Sequence, residues 1–155
     1  MAKLAYLTVE DLLHYYKETI QQSGGGMTGV RDPGGLEKVL DFIQDDDYYP
    51  TFEDKLTYLV FGLCHGHYFP DGNKRISLVA GAHFLLKNGR SWAGFHFLSD
   101  MEAYIWHVAA GNINKELLSS IICSVVNHED MNEETKLEVI HAMESSPLYS
   151  TEHEE

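Results

Sequence analysis

Basic residues are scarce in this sequence. Eleven Lys and Arg stand against 24 Asp and Glu, leaving a formal charge of −13 over 155 residues. Neutralising phosphates drives nucleic-acid binding, so a chain this acidic is not expected to bind DNA or RNA. Cysteine is nearly absent too. Cys64 and Cys123 are too few for a disulfide framework and do not form a zinc pattern. Both sit among apolar neighbours and are expected to be buried, reduced thiols. No apolar run approaches the roughly eighteen residues of a membrane span, and the start Met1-Ala2-Lys3-Leu4-Ala5 has no signal-peptide core. The expectation is a soluble, cytoplasmic protein. No internal repeat appears, and the only hint of strand alternation, Ser91–Phe97, is short and holds Gly94.

What the sequence does have is helix punctuation. Thr8 with Asp11 reads as a capping box ahead of Val9, Leu12, Leu13, Tyr16 and Ile20 on one face. Ser23-Gly24-Gly25-Gly26 ends that helix in a loop that lacks the spacing and Lys of a P-loop. Asp32-Pro33 opens a second helix with Leu36, Val39, Leu40 and Ile43 inward. Thr51 with Asp54 opens a third, ending near Gly66. A fourth, apolar on several faces and so expected at the centre, runs from Gly72-Asn73 to Asn88-Gly89. Ser99 with Glu102 predicts a fifth helix ending at Gly111-Asn112, and Asn114 a sixth. Asn132 predicts a weaker seventh with Leu137, Ile140 and Met143 inward. The expected class is all-α, with six or seven helices. Residues 1–126 form the main domain, and 127–155 form a helical extension with an acidic tail. That extension carries nine acids and one lysine, against fifteen acids and ten bases in the body.

One segment is unlike ordinary helix-packing sequence: His67-Tyr68-Phe69-Pro70-Asp71-Gly72-Asn73-Lys74-Arg75. It is a loop running into the N-terminus of the apolar helix. That end of a helix has unpaired N–H groups and partial positive charge. Lys74 and Arg75 add two cations to the same turn, which is unfavourable for the helix alone and sensible if an anion completes it; phosphate is the natural one. Gly72 has no Cβ to hold an anion off the backbone. Asp71 is placed to hold a divalent cation such as Mg2+ beside a phosphate. His67 is suited to take a proton from a hydroxyl near neutral pH, and Phe69 reads as the loop's apolar anchor. His65 and His67, two apart, do not chelate. The other histidines are scattered; they read as structural or surface residues, with His83 a candidate for a core hydrogen bond.

This segment, written His67-x-Phe69-x-Asp71-Gly72-Asn73-Lys74-Arg75, resembles the signature loop of the Fic/Doc superfamily in the form found in Doc-type toxins. Gly29-Val30-Arg31-Asp32-Pro33-Gly34-Gly35-Leu36-Glu37 is similar to a second segment of Doc-like proteins. So are Tyr48–Thr51, the Lys87-Asn88-Gly89 helix end and the Ala110-Gly111 turn, and the resemblance spans residues 4–126. It implies the all-α Fic fold and transfer of a phosphate-containing group from ATP, with Mg2+, to a hydroxyl of a target protein. By the same resemblance His67 is the catalytic base and Asp71 the Mg2+ ligand. Gly72, Asn73, Lys74 and Arg75 form the phosphate-binding turn, and Tyr48, Tyr49, Pro50 and Thr51 the flap that aligns an extended substrate peptide.

The adenylylating branch has Gly where this chain has Lys74, and a second Arg where it has Leu78. The Lys form resembles Doc, which transfers the terminal phosphate. The resemblance therefore implies a protein kinase, with AMP transfer as the alternative and a catalytically silent nucleotide- or antitoxin-binding module as a further one. It implies elongation factor Tu as target and arrest of translation as outcome. The Ser/Thr-x-x-x-Glu-Gly/Asn brake of many Fic proteins has no internal copy here, which implies a separate antitoxin chain. Ile76-Ser77 departs from the common continuation of the motif and is expected to affect packing more than chemistry.

Overall fold

The computed structural model describes residues 3–21 and 30–144. The Ser23–Gly26 loop, Gly29 and the tail at 151–155 lie outside them, as does the Ile20 side chain. The described chain is all-α: α1 Val9–Tyr16 continued by a π-helical turn Lys17–Gln21, α2 Pro33–Phe42, α3 Phe52–His65, α4 Asn73–Lys87, α5 Ser91–Ala109, α6 Lys115–Asn127 and α7 Glu133–Glu144. No strand occurs among the described residues.

The helix starts follow the sequence where a side chain caps them. The Thr8 and Thr51 hydroxyls accept from the N–H groups of Asp11 and Asp54, and each of those carboxylates accepts from the capping threonine's own N–H. Asp32 accepts from Gly35 N–H, Asn114 from Leu117 N–H and Asn132 from Thr135 N–H. Each cap satisfies a donor the helix cannot pair internally.

α4 lies at the centre, packed chiefly against α3 and α5. Ile76, Ala80, Phe84 and Leu85 are fully buried. Close approach to α5 depends on two glycines. A Cβ on Gly81 would fall 2.6 Å from the Phe97 ring, and one on Gly94 would fall 2.8 Å from the Leu86 side chain. Both ends of α4 are secured by asparagine amides that bridge an N–H and a carbonyl of one residue. At the far end, Asn88 accepts from Ala5 N–H at 2.8 Å and donates to Ala5 O at 2.9 Å, tying the N-terminal segment to the helix.

Several expectations need correction. α5 begins at Ser91, not Ser99, and absorbs the stretch that alternated like a strand. Ser99 is interior to it and donates to His96 O at 3.0 Å. Leu13 is 41% exposed, while Tyr15 is buried in its place, stacked on His83 at 4.1 Å. That stacking, rather than a core hydrogen bond, is the contact seen for His83, and burial lowers its pKa. On α7 the buried residue is Val139, with Met143 against the core; Leu137 and Ile140 are exposed. α7 packs chiefly against α6, which covers only a narrow stripe. Cys64 is buried, with its thiol pushed up to about 11 by burial, but Cys123 is only partly so.

Three buried phenols give an alkaline prediction. Tyr15, Tyr16 and Tyr49 are each pushed up to about 12, foremost by burial. A pKa raised in the folded state adds stability that is complete below the unfolded value of about 10 and lost as pH climbs toward 12. Urea unfolding at pH 11.5 is therefore expected to show a loss of up to about 2 kcal/mol for each phenol, roughly 5 kcal/mol in all, relative to pH 9. Tyr49→Phe should shrink that loss.

Candidate active site

The segment His67–Arg75 links the C-terminus of α3 to the N-terminus of α4. Two residues with left-handed backbone shape it. His67 has φ 51° and Gly72 has φ 74°. A side chain at Gly72 would be strained, whereas His is one of the residue types that visits this region more readily than most.

Between these points the loop is clamped. Asn73 Oδ1 accepts from Phe69 N–H at 3.1 Å, and its Nδ2 donates to Phe69 O at 2.9 Å. The Asn73 side chain thus closes the loop on itself, leaving its backbone N–H as its contribution to an anion. Phe69 is 1% exposed, and its ring stacks on Tyr16 at 4.4 Å. The anchoring role expected for Phe69 is the one it has.

Tyr16 also reaches the polar side of the loop. Its hydroxyl donates to Asp71 Oδ1 at 2.9 Å, fixing one oxygen of an exposed carboxylate. Burial, then the Asp71 hydrogen bond, pushes the phenol up to about 12, so it remains a donor at physiological pH. Sequence reasoning assigned Tyr16 to the core only; nothing in the spacing of α1 signals a partner 55 residues away. Tyr16→Phe keeps the stack on Phe69 and removes the hydroxyl that bonds Asp71. It is expected to cost about 1 kcal/mol in urea unfolding.

The N-terminus of α4 has no side-chain cap. Gly72 O accepts from Ile76 N–H at 2.9 Å, so the N–H groups of Asn73, Lys74 and Arg75 have no partner within the helix. Lys74 and Arg75 are exposed beside them, and His67 is exposed at the other end of the loop. Ile76 and Ser77 are fully buried, as packing residues should be, and the Ser77 hydroxyl donates to Lys74 O at 2.6 Å. Leu78 is 5% exposed. The His65 ring leans on Phe61 at 4.4 Å, and its Nε2 is buried without a hydrogen-bond partner.

The second sequence segment joins the first. Arg31 N–H donates to Tyr68 O at 2.7 Å, directly before the cap Asp32 of α2. Neither stretch contains a signal for the other.

Tyr48, Tyr49, Pro50 and Thr51 form the turn before α3 rather than an extended strand. Asp45 Oδ1 accepts from Tyr48 N–H at 3.1 Å, Asp45 O from Tyr49 N–H at 2.8 Å and Asp54 Oδ2 from Thr51 N–H at 3.3 Å. Pro50 has no N–H. A peptide pairing here would meet carbonyl oxygens. Beneath the turn, the 1% exposed Lys55 donates to Ile43 O at 2.7 Å and to Asp46 Oδ1 at 2.8 Å. That buried lysine, missed in the sequence, ties α3 to the segment that follows α2.

The arrangement has the parts for phosphate chemistry: an uncapped helix start with two cations, an oriented carboxylate and an exposed imidazole. The described residues contain no His, Cys, Asp and Glu cluster able to hold a metal by themselves. A single carboxylate suits Mg2+ held jointly by phosphate oxygens. No helix among the described residues is long and apolar enough to cross a membrane.

Comparison with known proteins bears on the same residues. The Fic/DOC family model matches residues 6–85, just over half of the chain and the part that includes Tyr16, Arg31, Asp32 and the whole loop. Protein kinase doc of Escherichia phage P1 is 32% identical over 90 residues, covering 56% of this chain and 70% of that protein. No solved structure matches. The loop, its brace and the segment docked on it all fall inside the matched stretch, and the chain belongs to the Fic/DOC family.

Proposed function

We propose that this protein is a Doc-like toxin. It acts in the cytoplasm as a protein kinase, moving the terminal phosphate of ATP to a hydroxyl of a target protein. The observation that carries this reading is the uncapped α4 N-terminus, with Lys74 and Arg75 exposed on its first turn and Asp71 oriented by Tyr16 beside it. Backbone N–H groups and two cations suit the polyphosphate, and the exposed carboxylate of Asp71 suits its Mg2+. Bound there, Mg2+ would offset negative charge on the phosphates. His67 takes the proton of the incoming hydroxyl as the new O–P bond forms and the bond to ADP breaks. Asn73 and Phe69 hold the loop in one geometry, so little reorganisation is needed at the moment of transfer.

Two features favour phosphate over AMP. Lys74 fills the position where the adenylylating branch has Gly. Leu78, where that branch has its second Arg, is buried in the core, so an arginine there would bring an unpaired charge into the packing. The relative named as a protein kinase is consistent with this. Incubating the protein with labelled ATP and a cell lysate, then identifying the adduct by mass spectrometry, is expected to show phosphate. An AMP adduct would overturn the kinase reading and leave a Fic-type transferase.

Elongation factor Tu is the proposed target, with arrest of translation as the consequence, and a separate antitoxin chain is the proposed brake. The flap Tyr48–Thr51 is proposed to align the target. A contiguous run of aromatic rings supports that placement. Tyr48 meets Tyr49 at 4.9 Å, and Tyr49 meets Tyr58 at 4.9 Å.

A further inference from the structure

Phe42 and Tyr48 are large aromatic residues left exposed, at 51% and 72%. They face the same cleft. Phe42, Asp45, Tyr48, Tyr49, Tyr58 and Lys115 line a cavity of about 420 Å³ between the end of α2, the turn before α3 and the start of α6. Its rings meet at angles rather than as one flat stack. Phe42 and Tyr58 lie 6.3 Å apart at 52°, and Tyr48 and Tyr49 lie 4.9 Å apart at 63°. An adjoining cavity of about 370 Å³ shares Tyr48, Tyr49, Tyr58 and Lys115 and adds the carboxylates of Asp54 and Glu116.

The chemistry of this cleft is selective. Faces of tyrosine and phenylalanine rings carry partial negative charge and attract cations. Three acidic residues, Asp45, Asp54 and Glu116, line the two cavities with the rings, against one basic residue, Lys115. An anionic or purely aliphatic side chain gains little from such walls. A flat guanidinium stacks on the rings and meets the carboxylates at its edge.

From these observations we propose that the cleft is a specificity pocket for an arginine side chain of the protein that accepts the transferred group. The proposal builds on the phosphotransfer reading above by naming a feature of its substrate. Geometry sets the spacing. Tyr58 stands seven residues before His65, the last residue of α3, so the cleft lies about 10 Å along that helix from the signature loop. An extended peptide advances about 3.3 Å per residue and covers that axial distance in about three residues, so the proposal sets the arginine that close to the accepting hydroxyl.

The test is a binding measurement that needs neither ATP nor catalysis. Short glycine-rich peptides with one threonine, and Arg, Ala or Glu three residues or fewer away, are titrated into the His67→Asn protein and followed by NMR. The arginine peptide is expected to bind roughly three- to thirtyfold more tightly than the alanine peptide. Phe42→Ala and Tyr48→Ala remove exposed rings and should leave the core intact. Each is expected to bring the two affinities toward equality. Lys115→Glu is expected to widen the gap. Equal affinities in the parent protein, an arginine preference that survives both ring deletions, or tightest binding of the glutamate peptide would overturn the proposal. The last outcome would make Lys115 the recognition group. Because no nucleotide is present, a failure of phosphate transfer does not imitate a failure of the cleft.

Discussion

Replacing His67 with asparagine is expected to reduce transfer to the target by about 10²- to 10⁴-fold, the usual contribution of a positioned general base. Asparagine is a better probe than alanine for a structural reason. His67 has φ 51°, a left-handed conformation that asparagine tolerates and alanine resists. The substitution therefore removes the imidazole while keeping the loop backbone. His67 is exposed, so its loss opens no cavity. The melting temperature should stay within a degree or two, and ATP affinity should be close to that of the parent, because the N–H groups of α4, Lys74 and Arg75 are untouched. Single-turnover transfer and nucleotide titration on the same samples separate the two effects. Transfer within tenfold of the parent would remove His67 from the role of base.

Phe69→Ala is expected to have the largest effect on stability. Its ring is 1% exposed and stacked on Tyr16, and its backbone N–H and carbonyl are both held by Asn73. Deleting a ring so enclosed costs about 3–5 kcal/mol, through lost burial and the cavity left behind. In a chain of this size about 1 kcal/mol moves the melting temperature by roughly 2–4 °C, so the fall should be roughly 10 °C. The damage should extend to the site. Without the ring, Tyr16 loses the partner that sets its position, and the hydrogen bond to Asp71 loosens with it. Transfer by the fraction still folded is expected to drop as well. Urea unfolding supplies the energy and single-turnover transfer the activity. A cost below 1 kcal/mol would show that Phe69 does not anchor the loop.

Much of this molecule was written in local sequence. Thr8, Asp32, Thr51, Asn114 and Asn132 announced helix starts because a cap needs only a short polar side chain and an N–H three residues on. At α5, where no side chain caps, the start was misplaced, whereas the equally uncapped start of α4 was marked by Gly72. α5 begins eight residues before Ser99, behind Arg90, which makes no side-chain cap bond. Burial was legible where several neighbours enclose a helix, as for α4. It failed for α7, where chiefly one neighbour decides which stripe is covered and Leu137 and Ile140 remain outside. The signature residues His67 to Arg75 were found because they are contiguous and their joint chemistry is improbable as packing.

Tertiary structure alone decided what steadies those residues. Tyr16 meets Asp71 across 55 positions, Arg31 reaches Tyr68, Asn88 binds Ala5, and Lys55 holds the turn before the flap. The sequence determined the helices and the reactive loop, because caps, periodicity and clustered charge act over a few residues. The fold decided how that loop is held, because a hydrogen bond between distant segments depends on where packing brings them and leaves no periodic trace in either one.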